Sequence, residues 1–185
     1  MICHCANEAQ ALELQQALNS RFAECRLRLH PQKTKIVYCK DANRPGEYPE
    51  RSFDFLGYTF RSRTAVGRNQ KRFVSFIPAV SNKAAKRIRL EVRRWRMHLR
   101  SDLDLDEIAR WTRPFLSGWV RYYGRFYPSK LRDELRTIDA FLVRWVSRKY
   151  KRFRGRTMAA WEWLRSLKLR NPAMFAHWTL GPAAG

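Results

Sequence analysis

The chain has 185 residues, 45% hydrophobic and 14% aromatic, which is enough to bury a core and too apolar for a disordered tail. Its 38 Lys and Arg against 16 Asp and Glu give a net charge of +22, an excess that self-repels and calls for a polyanionic partner. No apolar run reaches the roughly 18 residues of a membrane-crossing helix and no secretory signal opens the chain, so a membrane partner is set aside and a cytoplasmic location is expected.

In chain order, Met1 to Cys5 reads as the end of a buried strand. Asn7 with Gln10 three residues on is a capping-box pattern. It predicts a helix to about Cys25 that buries Leu14, Leu18 and Phe22 at four-residue spacing. His30-Pro31 marks a turn, and Lys33-Thr34-Lys35-Ile36-Val37-Tyr38 reads as a strand with two basic side chains on one face. Residues 41–52, with Asp41, Asn43, Pro45, Gly46 and Pro49, are loop by composition. Phe53 to Phe60 alternates as a strand broken at Leu56-Gly57, where the glycine suggests a bulge or a close backbone approach. A second strand near Phe73 to Ile77 would pair with it across a basic loop, Arg61 to Arg72.

Everything after Pro78 reads as helical. Ser81 or Asn82 can cap a helix carrying Ile88, Val92, Trp95 and Leu99 on its apolar face. Its other faces hold Lys83, Lys86, Arg87, Arg89, Arg93, Arg94, Arg96 and Arg100. A second helix runs through Ile108, Trp111, Phe115, Trp119, Tyr122 and Phe126, kinked or restarted at Pro114. Asp102, Asp104, Asp106 and Glu107 precede it, where a helix N-terminus favours acids. Ser129 would cap a third helix with Leu131, Leu135, Ile138, Leu142 and Trp145 inward, and the three make a small bundle. A shorter fourth helix, Trp161 and Leu164 inward, precedes Asn171-Pro172, and the chain from Thr179 on looks frayed.

Cys3, Cys5, Cys25 and Cys39 read as reduced structural thiols. Cys3-His4-Cys5 invites a zinc reading, but no second ligand pair follows at finger-like spacing, so no metal site is expected. No phosphate loop, zinc-hydrolase motif or Ser/His/Asp grouping stands out, and no catalytic residue is assigned. The densest basic run is Arg144, Arg148, Lys149, Lys151, Arg152, Arg154 and Arg156, with no acid among residues 144–156. Interleaved with Tyr150 and Phe153, it offers cations for phosphates and flat rings for bases, a mixture suited to structured RNA. Of the adjacent Tyr122 and Tyr123, one can be core while the other points outward to stack on a base. The nucleic-acid-binding candidates are therefore Lys33, Lys35, Arg121, Tyr123, Arg148, Lys149, Lys151, Arg152 and Arg154. Trp95, Trp111, Trp119 and Trp145 are read as core.

Four motifs stand in one order: Lys33-Thr34-Lys35-Ile36-Val37, Phe53-Asp54-Phe55-Leu56-Gly57-Tyr58, Gly118-Trp119-Val120-Arg121-Tyr122-Tyr123 and Phe175-Ala176-His177-Trp178. Together they resemble the C-terminal half of group II intron-encoded reverse transcriptase/maturases, over nearly the whole chain to about Leu180. The resemblance implies an α+β chain: a partial polymerase palm of a helix and short antiparallel strands over 1–80, then a three-helix thumb or maturase bundle over 81–156. A C-terminal helix and tail would occupy 157–185. Leu56, Gly57 and Tyr58 would correspond to the primer grip, and Lys33 to a basic residue near the incoming nucleotide.

The implied partners are intron RNA and template–primer duplex, with an N-terminal reverse-transcriptase half as a further partner. The family's Tyr-Ala-Asp-Asp aspartates would precede Ile2-Cys3-His4-Cys5 and are not in this sequence. The expectation is thus a chain inactive as a polymerase alone, with no cofactor of its own; Mg²⁺ belongs to a complete polymerase. Three readings follow: an RNA-binding maturase/thumb fragment that assists intron splicing and mobility, the C-terminal part of a split RNA-directed DNA polymerase, or a generic basic RNA-binding structural protein.

Overall fold

A computed structural model describes residues 1–44, 46–67 and 69–181. Pro45 and Arg68, both read as loop, and the last four residues of the tail lie outside the described residues. The chain is α+β, a three-stranded antiparallel sheet followed by packed helices. It divides into two compact units, one of Met1–Phe53 with Arg61–Phe76, the other of Asp54–Phe60 with Ile77–Gly185.

The first unit begins with α1, Glu8–Glu24. Asn7 caps it as read, its side chain accepting from the Gln10 N–H at 2.9 Å. Gln10 reaches back one residue further than the simple box, its Oε1 accepting from the Ala6 N–H at 2.7 Å. Leu14, Leu18 and Phe22 are only half-buried, and α1 has no fully buried residue. Met1 to Cys5 is not a strand: none of its backbone pairs with a ladder among the described residues, and Met1 is 81% exposed.

Residues 34–40 are not a strand either. Alternation alone cannot make one, because a strand needs a continuous partner. The segment is held by separate contacts instead. Tyr38 N–H donates to the Glu50 carbonyl at 2.9 Å, and Ser62 Oγ donates to the Lys40 carbonyl at 2.6 Å. The Tyr38 and Tyr48 rings lie 4.3 Å apart.

The sheet has the order β1 (Ser52–Phe55), β2 (Tyr58–Val66) and β3 (Arg72–Val80). Leu56-Gly57 is the two-residue turn between β1 and β2 rather than a bulge. Both residues take positive φ, 48° and 81°, the requirement of the tight hairpin turn whose twist matches its strands. The strand after it runs on to Val66, so Arg61 to Val66, expected in the basic loop, are strand, and β3 already begins at Arg72.

In the second unit, Ser81 caps α2 (Asn82–Arg94), its Oγ accepting from the Ala84 N–H at 3.1 Å. The helix ends earlier than its periodicity suggests. Arg96 turns left-handed at φ 45°, and a 3-10 turn, Met97–Leu99, follows. This rotation buries Met97 completely and leaves Leu99, expected in the core, 45% exposed. Asp104 and Glu107 form a reciprocal capping box on α3 (Leu105–Tyr123), which runs through Pro114 without a break. Asp102 instead pairs with Arg100 at 2.9 Å.

Helix α4 (Pro128–Lys149) starts with its proline in the first turn, so Ser129 is inside it and is not its cap. Leu131, Leu135, Ile138, Leu142 and Trp145 are all fully buried, and α4 packs against α2, α3 and α5 (Thr157–Arg170). In α5, Leu164 is buried but Trp161 is 39% exposed; Ala160 takes the inward place. Nor does the chain fray at Thr179, since a 3-10 turn at Ala176–Leu180 packs Ala176, Trp178 and Leu180 on the core.

Candidate nucleic-acid interface

The basic surface of the second unit is built on helices. On α2, Lys83, Lys86, Arg87, Arg93 and Arg94 are exposed, because the inward stripe of Ala84, Ala85, Ile88 and Val92 leaves the rest of the circumference to cations. On α4, Arg144 and Arg148 lie one turn apart and exposed. A 3-10 turn, Lys151–Phe153, then carries Lys151, Arg152 and Arg154 into solvent. None of these last five cations pairs with a carboxylate among the described residues, so their charge is available to an outside anion.

Two members of the expected run serve the fold. Lys149 is half-buried, its Nζ donating to the Leu103 carbonyl and lying 5.5 Å from the Trp145 ring centroid. Phe153 is buried against Trp163 and is no open platform for a base; Arg152 covers its ring at 4.6 Å. Tyr150 remains 39% exposed.

The aromatic stripe of α3 is rotated from the core axis. Ile108, Ala109, Thr112 and Leu116 are the buried residues, whereas Phe115 is 41% exposed and Trp119 half-buried. Trp119 stacks on Trp95 with centroids 5.7 Å apart and planes 11° from parallel. Phe115 and Trp119, with Arg87, Leu90, Arg94 and Tyr123, line a groove of about 520 Å³ between α2 and α3. Of the tyrosine pair, Tyr123 is the half-buried one and Tyr122 the more exposed, the reverse of what a stacking role for Tyr123 requires. Arg121 is exposed beside them.

The hairpin Leu56-Gly57-Tyr58 is fixed on the C-terminal end of α3. Tyr58, buried, donates its hydroxyl to the Tyr122 carbonyl oxygen, and Tyr122 donates to the Leu56 carbonyl at 2.9 Å. Burial, and then the neighbouring Tyr122 and Tyr123 phenols, push the Tyr58 hydroxyl above its ordinary pKa, so it remains a donor at neutral pH. A Cβ on Gly57 would stand 2.7 Å from Tyr123 Oη, so the close approach read at this glycine is real. Leu56 is left 68% exposed at the tip. In the first unit Lys33 and Lys35 are both exposed, and Lys35 pairs with Glu50 at 2.9 Å.

The buried acid Asp139 was not singled out from sequence. Lys168 Nζ donates to it at 2.5 Å and Trp178 Nε1 at 3.0 Å, while His177 Nε2 lies 3.2 Å away. These bonds fasten the Phe175–Trp178 motif to α4. The available signal was an acid between Ile138 and Leu142, in step with the buried stripe, where a charge must find partners. Among the described residues no three His, Cys, Asp or Glu gather as a metal site, and no helix is long and apolar enough to cross a membrane.

No curated protein and no solved structure matches the chain. Residues 85–162 match the family model described as "Group II intron, maturase-specific domain", a span from α2 into α5 that includes Arg144, Arg148 and the basic 3-10 turn. The chain therefore carries a group II intron maturase-specific domain at residues 85–162.

Proposed function

We propose that the chain binds the structured RNA of a group II intron and assists its splicing, with the maturase-specific domain as the binding body. The observation that carries this reading is the coincidence of that domain with the free cations of α2, α4 and the Lys151–Phe153 turn. Phosphates supply the counter-charge that Arg93, Arg144, Arg148, Lys151, Arg152 and Arg154 lack among the described residues. In the same reading, residues 1–80 are the end of a polymerase palm and 81–156 its thumb. Leu56-Gly57-Tyr58 then presents an exposed apolar tip to a primer strand. The hairpin's anchorage on α3 supports this, since a strand-holding element needs a fixed base.

The test is competition binding. A labelled group II intron transcript should be retained by the chain in the presence of excess transfer RNA, and splicing of that transcript should accelerate when the chain is added. Equal displacement by transfer RNA together with unchanged splicing would leave only a generic basic RNA-binding protein.

A further inference from the structure

A second groove, of about 210 Å³, runs between α2 and α4 and is lined by Arg89, Arg93, Thr137, Ala140, Phe141 and Arg144. Of its lining, Phe141 stacks on the His98 ring, with centroids 5.3 Å apart and planes 24° from parallel. The Arg144 guanidinium covers the same Phe141 ring at 5.5 Å.

At one end the positive charge is already neutralised. Arg89 pairs with Glu134, which also lies 3.6 Å from Lys130. Toward the other end it is not, for Arg93, Arg96, Arg144 and Arg148 are exposed and pair with no carboxylate among the described residues. His98 registers this field. Burial first, and then repulsion from Arg148, Arg144 and Arg96, hold its pKa below the ordinary value. Its Nδ1 is buried without a hydrogen-bond partner among the described residues.

We propose that the α2–α4 groove is a phosphate-binding site for the RNA backbone, with Arg93 and Arg144 as its cation ligands and Arg148, one turn further along α4, adding to the field beside it. The proposal rests on the RNA-binding reading above and names the place where that reading is realised. Guanidinium forks match phosphate oxygens in geometry as well as charge. The uncompensated arginines Arg93 on α2 and Arg144 and Arg148 on α4 cost the free protein repulsion that a bound phosphate removes.

Fluorescence anisotropy of a labelled group II intron transcript tests the site, using the 185-residue chain in 0.1–0.4 M KCl at pH 7.5. The double variant R93Q/R144Q should bind about tenfold or more weakly at 0.1 M KCl. Its log–log salt slope should be shallower by about 2, one for each phosphate no longer neutralised. R144Q/R148Q is a second variant with the same expectation, and circular dichroism checks that both fold.

The comparison is K151Q/R152Q/R154Q, which leaves the groove intact. If that triple variant loses affinity while both groove variants bind within twofold of the unaltered chain at an unchanged slope, the groove is not the site and RNA binding stands elsewhere. If the unaltered chain does not bind the transcript, the RNA-binding reading falls together with the groove.

Discussion

The Tyr58 hydroxyl donates to the main-chain carbonyl oxygen of Tyr122, tying the start of β2 to the last turn of α3. Tyr122 returns the bond through its own hydroxyl to the Leu56 carbonyl. The ring of Tyr58 lies 5.2–5.7 Å from those of Tyr122, Tyr123 and Phe126. Tyr58→Phe keeps this packing and removes only the donor, so it should cost about 1 kcal/mol. Tyr58→Ala removes the ring as well and should cost about 3–5 kcal/mol. Urea denaturation distinguishes them; equal losses would mean that the hydroxyl carries the anchorage.

Gly57 faces two separate obstacles to substitution, its φ of 81° and the Tyr123 hydroxyl. Gly57→Ala should destabilise by about 1–3 kcal/mol, and adding Tyr123→Phe should recover part of that loss by removing the nearest atom. A double-mutant cycle with no coupling between the two positions would contradict the close approach. Leu56 sits at φ 48° where asparagine is favoured. Leu56→Asn should therefore raise stability by a few tenths of a kcal/mol to about 1 kcal/mol. If the exposed tip grips a nucleic acid strand, the same change should weaken that grip.

Asp139 gives the second unit a defined response to acid. Burial opposes its ionisation, but the hydrogen bonds and charges of His177 and Lys168 outweigh it and hold the carboxyl below its ordinary pKa. Its contribution is present above about pH 3.9 and is lost as the pH falls through its lower folded value. His177 is the neutral member. Burial lowers its pKa more than Asp139 raises it, and its buried Nδ1 has no partner among the described residues. In the unfolded chain it takes a proton near pH 6.5, so its contribution is full above that pH and declines below it.

Stability should thus fall in two stages, one below about pH 6.5 and one below about pH 4. His177→Gln should shrink the first stage, leaving the part carried by His98, whose pKa is also held low, as read by thermal melts across pH. Asp139→Ala should cost about 2–4 kcal/mol at pH 7, since it strands the Trp178 and His177 donors.

Periodicity carried the sequence reading where one face of a long element is buried and nothing interrupts it, as along Leu131 to Trp145. It failed where geometry turns on a single residue. Nothing in the run Trp95-Arg96-Met97 marks Arg96 as left-handed, so Leu99 looked like core in place of Met97. Lys33 to Tyr38 alternates like a strand, but pairing is a property of the neighbour, which alternation cannot reveal. On α3 the large rings masked the true stripe, because Thr112 satisfies its own hydroxyl at the Ile108 carbonyl and can be buried. The basic character of the candidate interface was legible from charge; the service of Lys149 and Phe153 to the fold was not.

The tryptophans follow from the same correction. Trp145 is fully buried and its Nε1 donates to the Arg100 carbonyl at 2.8 Å, whereas Trp119 is half-buried. Trp145→Ala should cost about 3–5 kcal/mol. Trp119→Ala should cost roughly half as much, since less area returns to water and less cavity is created. Denaturant midpoints in the reverse order would show that the Trp95–Trp119 stack is the stronger element of the core.

The maturase-specific domain is the proposed surface that meets RNA. Ultraviolet crosslinking of the chain to a group II intron transcript, followed by mass spectrometry of the peptides, addresses it directly. Crosslinked residues should fall within 85–162 and concentrate on α2, α4 and the Lys151–Phe153 turn. Crosslinks confined to residues 1–53, with none in the domain, would contradict it.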